Sequence, residues 1–380
     1  MRIGVVTFWY GKENYGMLLQ CWALQQMLKQ MGHSPFVIRY EPKSQRSGIL
    51  GKLINNYRFI KNFIKTSAQE RSKIKRRGFD IFRENNLELS TNYYNNLSEI
   101  QKTPPIADCY IAGSDQIWAQ LLSNKNNKVF FLDFGSQTTM RIAYAPSFSM
   151  KDYPLELKQQ LREILKKFDA VSCREYDGVR ICNSVGIKAV KVLDPTMLLK
   201  KENYLNFIEK KEKKRKQIFI YSINISEPNE IRWMELKNYA NKRDLSILVT
   251  TANGYIRGEE IFKGVEYSYA TIPEWLSNIF NSELVVTTSF HGIVFSIIFE
   301  KNFIYIPLKG VYEKGNNRVF ELLNDLNLGN RILTDTISYD NIMQNTIDWS
   351  LVGSCLNNLR KTSLEFLQDS IDKDIHMKVG

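Results

Sequence analysis

Short apolar runs alternate with segments of helical period from one end of this chain to the other, and that alternation admits few folds. A strand buried on both faces of a parallel sheet reads as a continuous apolar run, and the crossover helix that follows restores the 3.6-residue period. Repeated along a chain, the pattern specifies βαβ units and mainly parallel sheets. At 380 residues the chain exceeds what one core usually serves, so the expected class is α/β, with two doubly wound (Rossmann-like) domains facing across a cleft.

The first unit is the clearest: a strand over 2–8, a polar glycine loop over 9–16, a helix over 17–31 stopped by Gly32, and a strand over 35–39. A polar, basic insertion over 43–105 is expected to be helical and ends at Pro104-Pro105, before a strand over 108–112. Strands over 141–145, 170–173 and 189–193, with a helix over 155–167, complete a first half closed by Asp194-Pro195. The second half restarts with a strand over 217–223, a helix over 229–241 and a strand over 245–250. A helix over 273–281 with proline in its first turn then leads to a strand over 283–288, a helix over 292–300 and a strand over 303–306. The expected organisation is an N-terminal α/β domain over 1–200, a C-terminal α/β domain over 201–350, and a last helix within 351–380 crossing back to the first domain.

Composition excludes several function classes. Five scattered cysteines, with no C-x-x-C pair and no histidine at zinc-finger spacing, point to a reducing compartment and no structural metal. The chain opens on a strand rather than a charged segment leading into a long apolar one, so no secretion signal is expected. The longest apolar stretch, 293–299, is far short of the roughly 20 residues that span a bilayer. The expected location is the cytoplasm. A formal charge of +12 still needs a cause. The excess lies over 61–77 and 209–216, without the interleaved aromatics of a single-strand-binding face, so nucleic acid is not expected. These runs are most simply solvated surface; attraction to the anionic inner face of a plasma membrane is the alternative.

Ligands of open parallel sheets collect at the carboxyl ends of strands, which singles out four loops. Gly11 to Gly16 offers glycines that let backbone N–H groups approach a ligand. Gly113-Ser114-Asp115-Gln116-Ile117-Trp118 places a hydroxyl, a carboxylate and an amide directly after a strand, as a site or as an Asx turn capping a helix. In Ser172-Cys173-Arg174-Glu175, Arg174 either clamps a phosphate or carboxylate or pairs with Glu175 or Asp177. Thr288-Ser289-Phe290-His291-Gly292 converges free N–H groups, a helix dipole, a hydroxyl and an imidazole within one turn. Of the three histidines, His33 follows a helix-stopping glycine and His376 lies in the C-terminal tail, which leaves His291 for catalysis.

In this order the residues are similar to the polysaccharide pyruvyl transferase family over most of the chain. The resemblance is carried by Asn14-Tyr15-Gly16 with Leu19-Gln20 and Ala23-Leu24-Gln25; by Ala112 to Trp118; by Ala143-Tyr144-Ala145-Pro146-Ser147-Phe148; by Val171 to Glu175; by Val192-Leu193-Asp194-Pro195-Thr196; by Ser289-Phe290-His291-Gly292; and by the late Asn317-Arg318. It implies a GT-B-like fold and transfer of pyruvate from phosphoenolpyruvate onto two hydroxyls of a sugar of a bacterial surface polysaccharide or its lipid-linked precursor, as a cyclic ketal. Phosphoenolpyruvate is then a co-substrate, and no cofactor is implied. Arg174, Arg318 and the helix N-terminus at Ser289 and Gly292 would supply counter-charge, and His291 a proton donor or a hold on the departing phosphate. Asn14, Ser114 and Asp115 would reach from the other domain to position the acceptor, with Tyr15, Gly16, Gln116 and Asn317 completing the substrate site. Two positions depart from the family: Met17 stands where several members carry an acid after the Asn-x-Gly turn, and Thr288 where many carry one before Ser-Phe-His-Gly. Asp115 is the nearest replacement for the acceptor's general base. Two other readings remain: a GT-B-type glycosyltransferase using a nucleotide-sugar donor, and a non-catalytic protein binding the glycan-synthesis machinery.

Overall fold

The computed structural model describes residues 1–11, 13–42, 75–208, 216–252 and 260–377. A seven-stranded sheet has the order β3-β2-β1-β4-β5-β6-β7, from β1 (Arg2–Val6), β2 (Ser34–Tyr40), β3 (Leu89–Tyr94), β4 (Cys109–Ala112), β5 (Met140–Ala143), β6 (Ala170–Cys173) and β7 (Val190–Lys191). A five-stranded sheet has the order β10-β9-β8-β11-β12, from β8 (Gln217–Ser222), β9 (Ser246–Thr251), β10 (Glu266–Tyr267), β11 (Leu284–Thr287) and β12 (Phe303–Tyr305). Every strand pair is parallel. Each sheet reverses its winding once, at β1/β4 in the first and at β8/β11 in the second, and such reversals open the crevices in which α/β proteins bind ligands.

The period of two along each strand assigns side chains to cores. In the first sheet Ile3, Val5, Cys109 and Ile111 face one cluster while Val6, Tyr110 and Ala112 face another. In the second, Phe219, Tyr221 and Val285 share the cluster of Ile3 and Val5, whereas Ile218, Ile220 and Val286 turn to a third. The middle core thus belongs to both sheets. Between them lies α1 (Tyr15–Gln30), whose Leu18, Leu19, Trp22 and Ala23 are buried in this middle cluster with Trp275 and Phe295 of the second half. This accounts for a helix apolar on nearly all sides where a surface helix would be amphipathic.

The chain crosses between the sheets through Asp194, whose side chain caps the short α2 (Pro195–Leu198) by accepting from the Thr196 N–H. The last helix, α3 (Trp349–Met377), packs back on this segment. Ser363 Oγ accepts from the Leu193 N–H at 2.9 Å, Arg360 Nε donates to the Met197 carbonyl at 2.9 Å, and Leu367 and Ile371 are fully buried.

Two elements differ from expectation. β3 lies inside the insertion expected to be helical; Leu-Ser-Thr-Asn-Tyr-Tyr carries no apolar alternation because it is an edge strand with three consecutive exposed residues. The expected helix over 229–241 is divided at Arg232, whose left-handed backbone (φ 51°) separates a short 3-10 turn from the helix Trp233–Asn241. Of the basic runs, 61–74 and 209–215 lie outside the described residues. Arg77, counted with the first run as solvated or membrane-facing, is instead buried at 5% exposure against the second sheet's half of the molecule.

Leu367→Ala empties a site that joins the closing helix to the middle core. It is expected to lower the unfolding free energy by about 2–4 kcal/mol, read from the shift in the urea denaturation midpoint.

Candidate active site

The loops that follow β1, β4, β6 and β7 in the first sheet meet those that follow β11 and β12 in the second. Asp194 lies at the centre and is 1% exposed. Its Oδ2 accepts from Ser114 Oγ at 2.9 Å and from Arg174 Nη1 at 3.0 Å, and stands 3.6 Å from His291 Nε2. Its Oδ1 accepts from Thr196 Oγ1 at 2.7 Å as well as from the Thr196 N–H. Burial alone would raise this carboxyl, but His291, Arg174 and Thr196 hold it far below the ordinary carboxylate range. In the sequence Asp194 marks the end of the first half, and only its place in the Val192 to Thr196 motif signals a further part for it.

Arg174 emerges from β6 into an almost fully buried position. Besides Asp194, Glu175 Oε2 lies 3.8 Å from its Nε and Asp115 Oδ1 4.0 Å from its Nη2. Burial works against its charge, yet Asp194, Glu175 and Asp115 together hold the guanidinium above its usual value. Asp177, the other expected partner, serves Arg180 and Asn317 instead. The Arg174 guanidinium carbon sits 4.7 Å from the centre of the Phe290 ring, and that of Arg318 sits 5.6 Å from the same centre. Arg318 lies in the first turn of α4 (Asn317–Asp325), whose entry is fixed by Asn316. The Asn316 amide accepts from Tyr305 Oη at 2.7 Å and from the Leu308 N–H at 3.0 Å, and donates to the Leu308 carbonyl. Burial and the neighbouring Arg174 lower the Arg318 guanidinium.

His291 occupies the first turn of α5 (Phe290–Ile298), capped by Ser289, whose hydroxyl accepts from the Gly292 N–H. The imidazole packs on the backbone of the opposite domain: a Cβ on Gly16 would lie 2.0 Å from His291 Nδ1. Only glycine permits this approach, which gives the Asn14-Tyr15-Gly16 turn its steric reason. A Cβ on Gly292 would lie 2.3 Å from Thr287 Oγ1, so the second glycine likewise lets α5 start tight against β11.

His291, Arg174 and Arg318 therefore converge across the crevice, with Asp115 beside them. Asp115 holds a strained backbone (φ 77°, ψ −178°), a conformation that costs on the order of 1–3 kcal/mol outside glycine and collects at functional sites. Its Oδ1 accepts from the Gln116 N–H at 2.8 Å. Several residues expected to contact substrate make hydrogen bonds within the protein. The Ser114 hydroxyl is fully buried and committed to Asp194. Tyr15 is fully buried, stacked on Trp275 at 5.1 Å, and donates to the Ala270 carbonyl, so it joins the domains rather than lining the crevice. The Asn14 side chain caps α1, Gln116 Nε2 donates to Ser149 Oγ, and Asn317 Nδ2 donates to Asp177 Oδ2. Thr288, at the position where an acid was missing, both accepts from the Ile223 N–H and donates to the Ile223 carbonyl, tying β11 to the end of β8.

Buried polar atoms are almost always hydrogen-bonded, so the exceptions carry information. Among the described residues Arg174 Nε and Nη2, Arg318 Nε and His291 Nε2 have no hydrogen-bond partner. All three side chains lie beside the Phe290 ring, and Arg174 and His291 also face the Asp194 carboxylate; together they can cradle an anion. No group of three or more His, Cys, Asp or Glu side chains among the described residues is arranged to hold a metal ion. No described helix is long and apolar enough to cross a membrane.

A family model described as polysaccharide pyruvyl transferase matches residues 14–310. A search of curated proteins finds no significant match. Among solved structures, a UDP-N-acetylglucosamine 2-epimerase from Rickettsia bellii superposes with a TM-score of 0.51 at 11% identity, over 98% of this chain and 97% of that one. A putative UDP-N-acetylglucosamine 2-epimerase from Listeria monocytogenes gives 0.51 at 8% identity, over 100% and 97%. At these identities the likeness is one of fold, the two-domain GT-B arrangement.

The Asp194 carboxyl is held low in the folded protein, so its stabilising contribution is complete above the unfolded value near 4 and is lost as the pH falls below it. Asp194→Asn leaves Arg174 without its closest partner and should cost about 3–5 kcal/mol at pH 7. The gap to wild type should narrow below about pH 4, read as melting temperature against pH.

Proposed function

Because the chain belongs to the polysaccharide pyruvyl transferase family, we propose that it moves pyruvate from phosphoenolpyruvate onto two hydroxyls of a sugar, releasing phosphate and forming a cyclic ketal. The observation that carries this reading is the set of unpartnered nitrogens on Arg174, Arg318 and His291 around the Phe290 ring. Phosphoenolpyruvate carries its carboxylate and its phosphate on one carbon, C2, and two guanidinium groups over one aromatic ring match that pair.

Charge balance assigns the imidazole its part. Asp194, Glu175 and Asp115 already face the guanidinium groups, which leaves His291, its Nε2 buried and without a hydrogen-bond partner, as the proton donor of this reading. Proton transfer to the methylene carbon makes C2 electrophilic, and a sugar hydroxyl adds there as its own proton leaves to a base. The C2–O bond to phosphate then breaks with the electron pair going to phosphate, held by the arginines, and the second hydroxyl closes the ring as its proton passes to the departing phosphate. Asp115, at the crevice wall and 4.0 Å from Arg174, is the carboxylate placed to take the hydroxyl proton. Asp194 acts through its neighbours: it orients Arg174 and faces the His291 ring.

His291→Ala should lower kcat by about 10²–10⁴-fold in an assay of phosphate release coupled to a mass gain on the saccharide. Unchanged turnover would remove the mechanism. Arg318→Gln should instead act mainly through the KM for phosphoenolpyruvate. Gly16→Ala removes no polar group yet displaces the His291 ring, so a kcat loss approaching that of His291→Ala is expected, with melting temperature reporting whether the domains still pack.

A further inference from the structure

The second sheet carries another unfinished cation. Among the described residues only Arg77 and Arg174 leave two buried guanidinium nitrogens each without a hydrogen-bond partner; Arg39, Arg318 and Arg331 leave one. Arg174 is surrounded by carboxylates, whereas no ion pair among the described residues involves Arg77. Its Nη2 donates to Thr251 Oγ1 at 3.3 Å, while Nε and Nη1 are buried and unpartnered. Its guanidinium carbon stands 5.6 Å from the centre of the Tyr269 ring and 6.0 Å from that of Tyr15. Its chain neighbour Arg76 pairs with Glu274 in the first turn of the helix Ile272–Asn281, which docks the segment on the second sheet's half and turns Arg77 inward.

The place matters as much as the charge. Thr251 ends β9 and pairs with Ser222 of β8, while Thr287 of β11 pairs with Tyr221, so Arg77 and the His291 turn lie beyond strand ends two positions apart. Two strand spacings are about 10 Å, which is the scale of a single sugar with a diphosphate at its anomeric end. Between the two sites stands the start of α1, where Gly16 touches His291 and Tyr15 faces Arg77. We infer that Arg77 and Thr251 form a second anion subsite that holds the diphosphate of a diphosphate-linked sugar acceptor while its hydroxyls reach the crevice around His291. This rests on the pyruvyl-transfer reading for the acceptor's role, but the anion site itself does not. The diphosphate can belong to a nucleotide or to a polyprenyl lipid, which present the same chemistry to the guanidinium.

Calorimetry of the full chain with inorganic pyrophosphate, phosphoenolpyruvate being present to fill the first site, tests the subsite alone. Arg77→Gln should weaken pyrophosphate binding by about tenfold or more, Arg77→Lys should recover part of it, and Thr251→Val should cause a smaller loss. Should Arg77→Gln fail to fold, the lysine and valine variants decide. Kinetics then compare one sugar carried on a nucleoside diphosphate, on a polyprenyl diphosphate in detergent, and free. The expected result is turnover of a diphosphate-linked form with little of the free sugar, and an Arg77→Gln variant whose acceptor KM rises about tenfold with kcat and the phosphoenolpyruvate KM nearly unchanged. Whichever carrier is used identifies the source of the diphosphate. Pyrophosphate binding indifferent to Arg77 and Thr251 would overturn the inference, as would free sugar turned over equally well. If no acceptor releases phosphate from phosphoenolpyruvate, the pyruvyl reading fails and the calorimetric arm still decides the subsite.

Discussion

One buried carboxylate organises the site. Asp194 stands where the chain leaves the first sheet, and within its reach are a hydroxyl from the loop after β4, a guanidinium from the end of β6 and an imidazole from the second sheet. Ionised and out of water, it is stable only while those donors surround it, and they in turn are oriented by it. The same residue caps α2, against which the closing helix packs, so fold closure and site assembly share one side chain.

The contact between Gly16 and His291 supplies the steric half of the constraint. An imidazole packed against a backbone from the opposite domain is in place only when the two sheets are closed on the middle core. The residues that close it are largely apolar or tyrosyl, with Tyr15 stacked on Trp275 and bonded to Ala270. At the rim, Lys191 pairs with Glu321 and Asp325, and Asn317 with Asp177. A donor from the second domain is thereby held to the geometry of acceptors in the first without any covalent tie.

The parallel sheets were legible because buried strands announce themselves: Ile3 to Val6, Phe219 to Tyr221 and Leu284 to Val286 are apolar on both faces. The edge strand β3 was not, since Ser90 to Asn92 carry no apolar signal and its pairing with β2 is a long-range fact. Arg174 and His291 could be picked out at a strand end and a helix start, and Arg318 through the family's late asparagine-arginine element, and they do meet. What a one-dimensional reading could not assign was commitment. Ser114 and Tyr15 look available as residue types, yet their hydroxyls are spent inside the protein, and Asp194 looks like a helix cap until its second oxygen is followed. Arg77 was misplaced for the converse reason: in a basic run it resembles solvated surface, and only the burial of its neighbours reveals otherwise.

The two winding reversals explain why chemistry of this kind suits such a frame. A reaction that joins an anionic donor to a hydroxylated acceptor needs counter-charge, a proton donor and a base in one dry volume, groups that would neutralise one another if placed on a single loop. Splitting them between two sheets lets each set be held by its own core. The first sheet fixes Arg174, Asp115 and Asp194 at the ends of β4, β6 and β7, and the second presents Arg318 and His291 from the first turns of α4 and α5. Each set alone is incomplete: the arginine of the first is matched by carboxylates, and the imidazole of the second has its nearest carboxylate partner in the first. The crevice between them is therefore where, among the described residues, nitrogens left without partners on both sides come together.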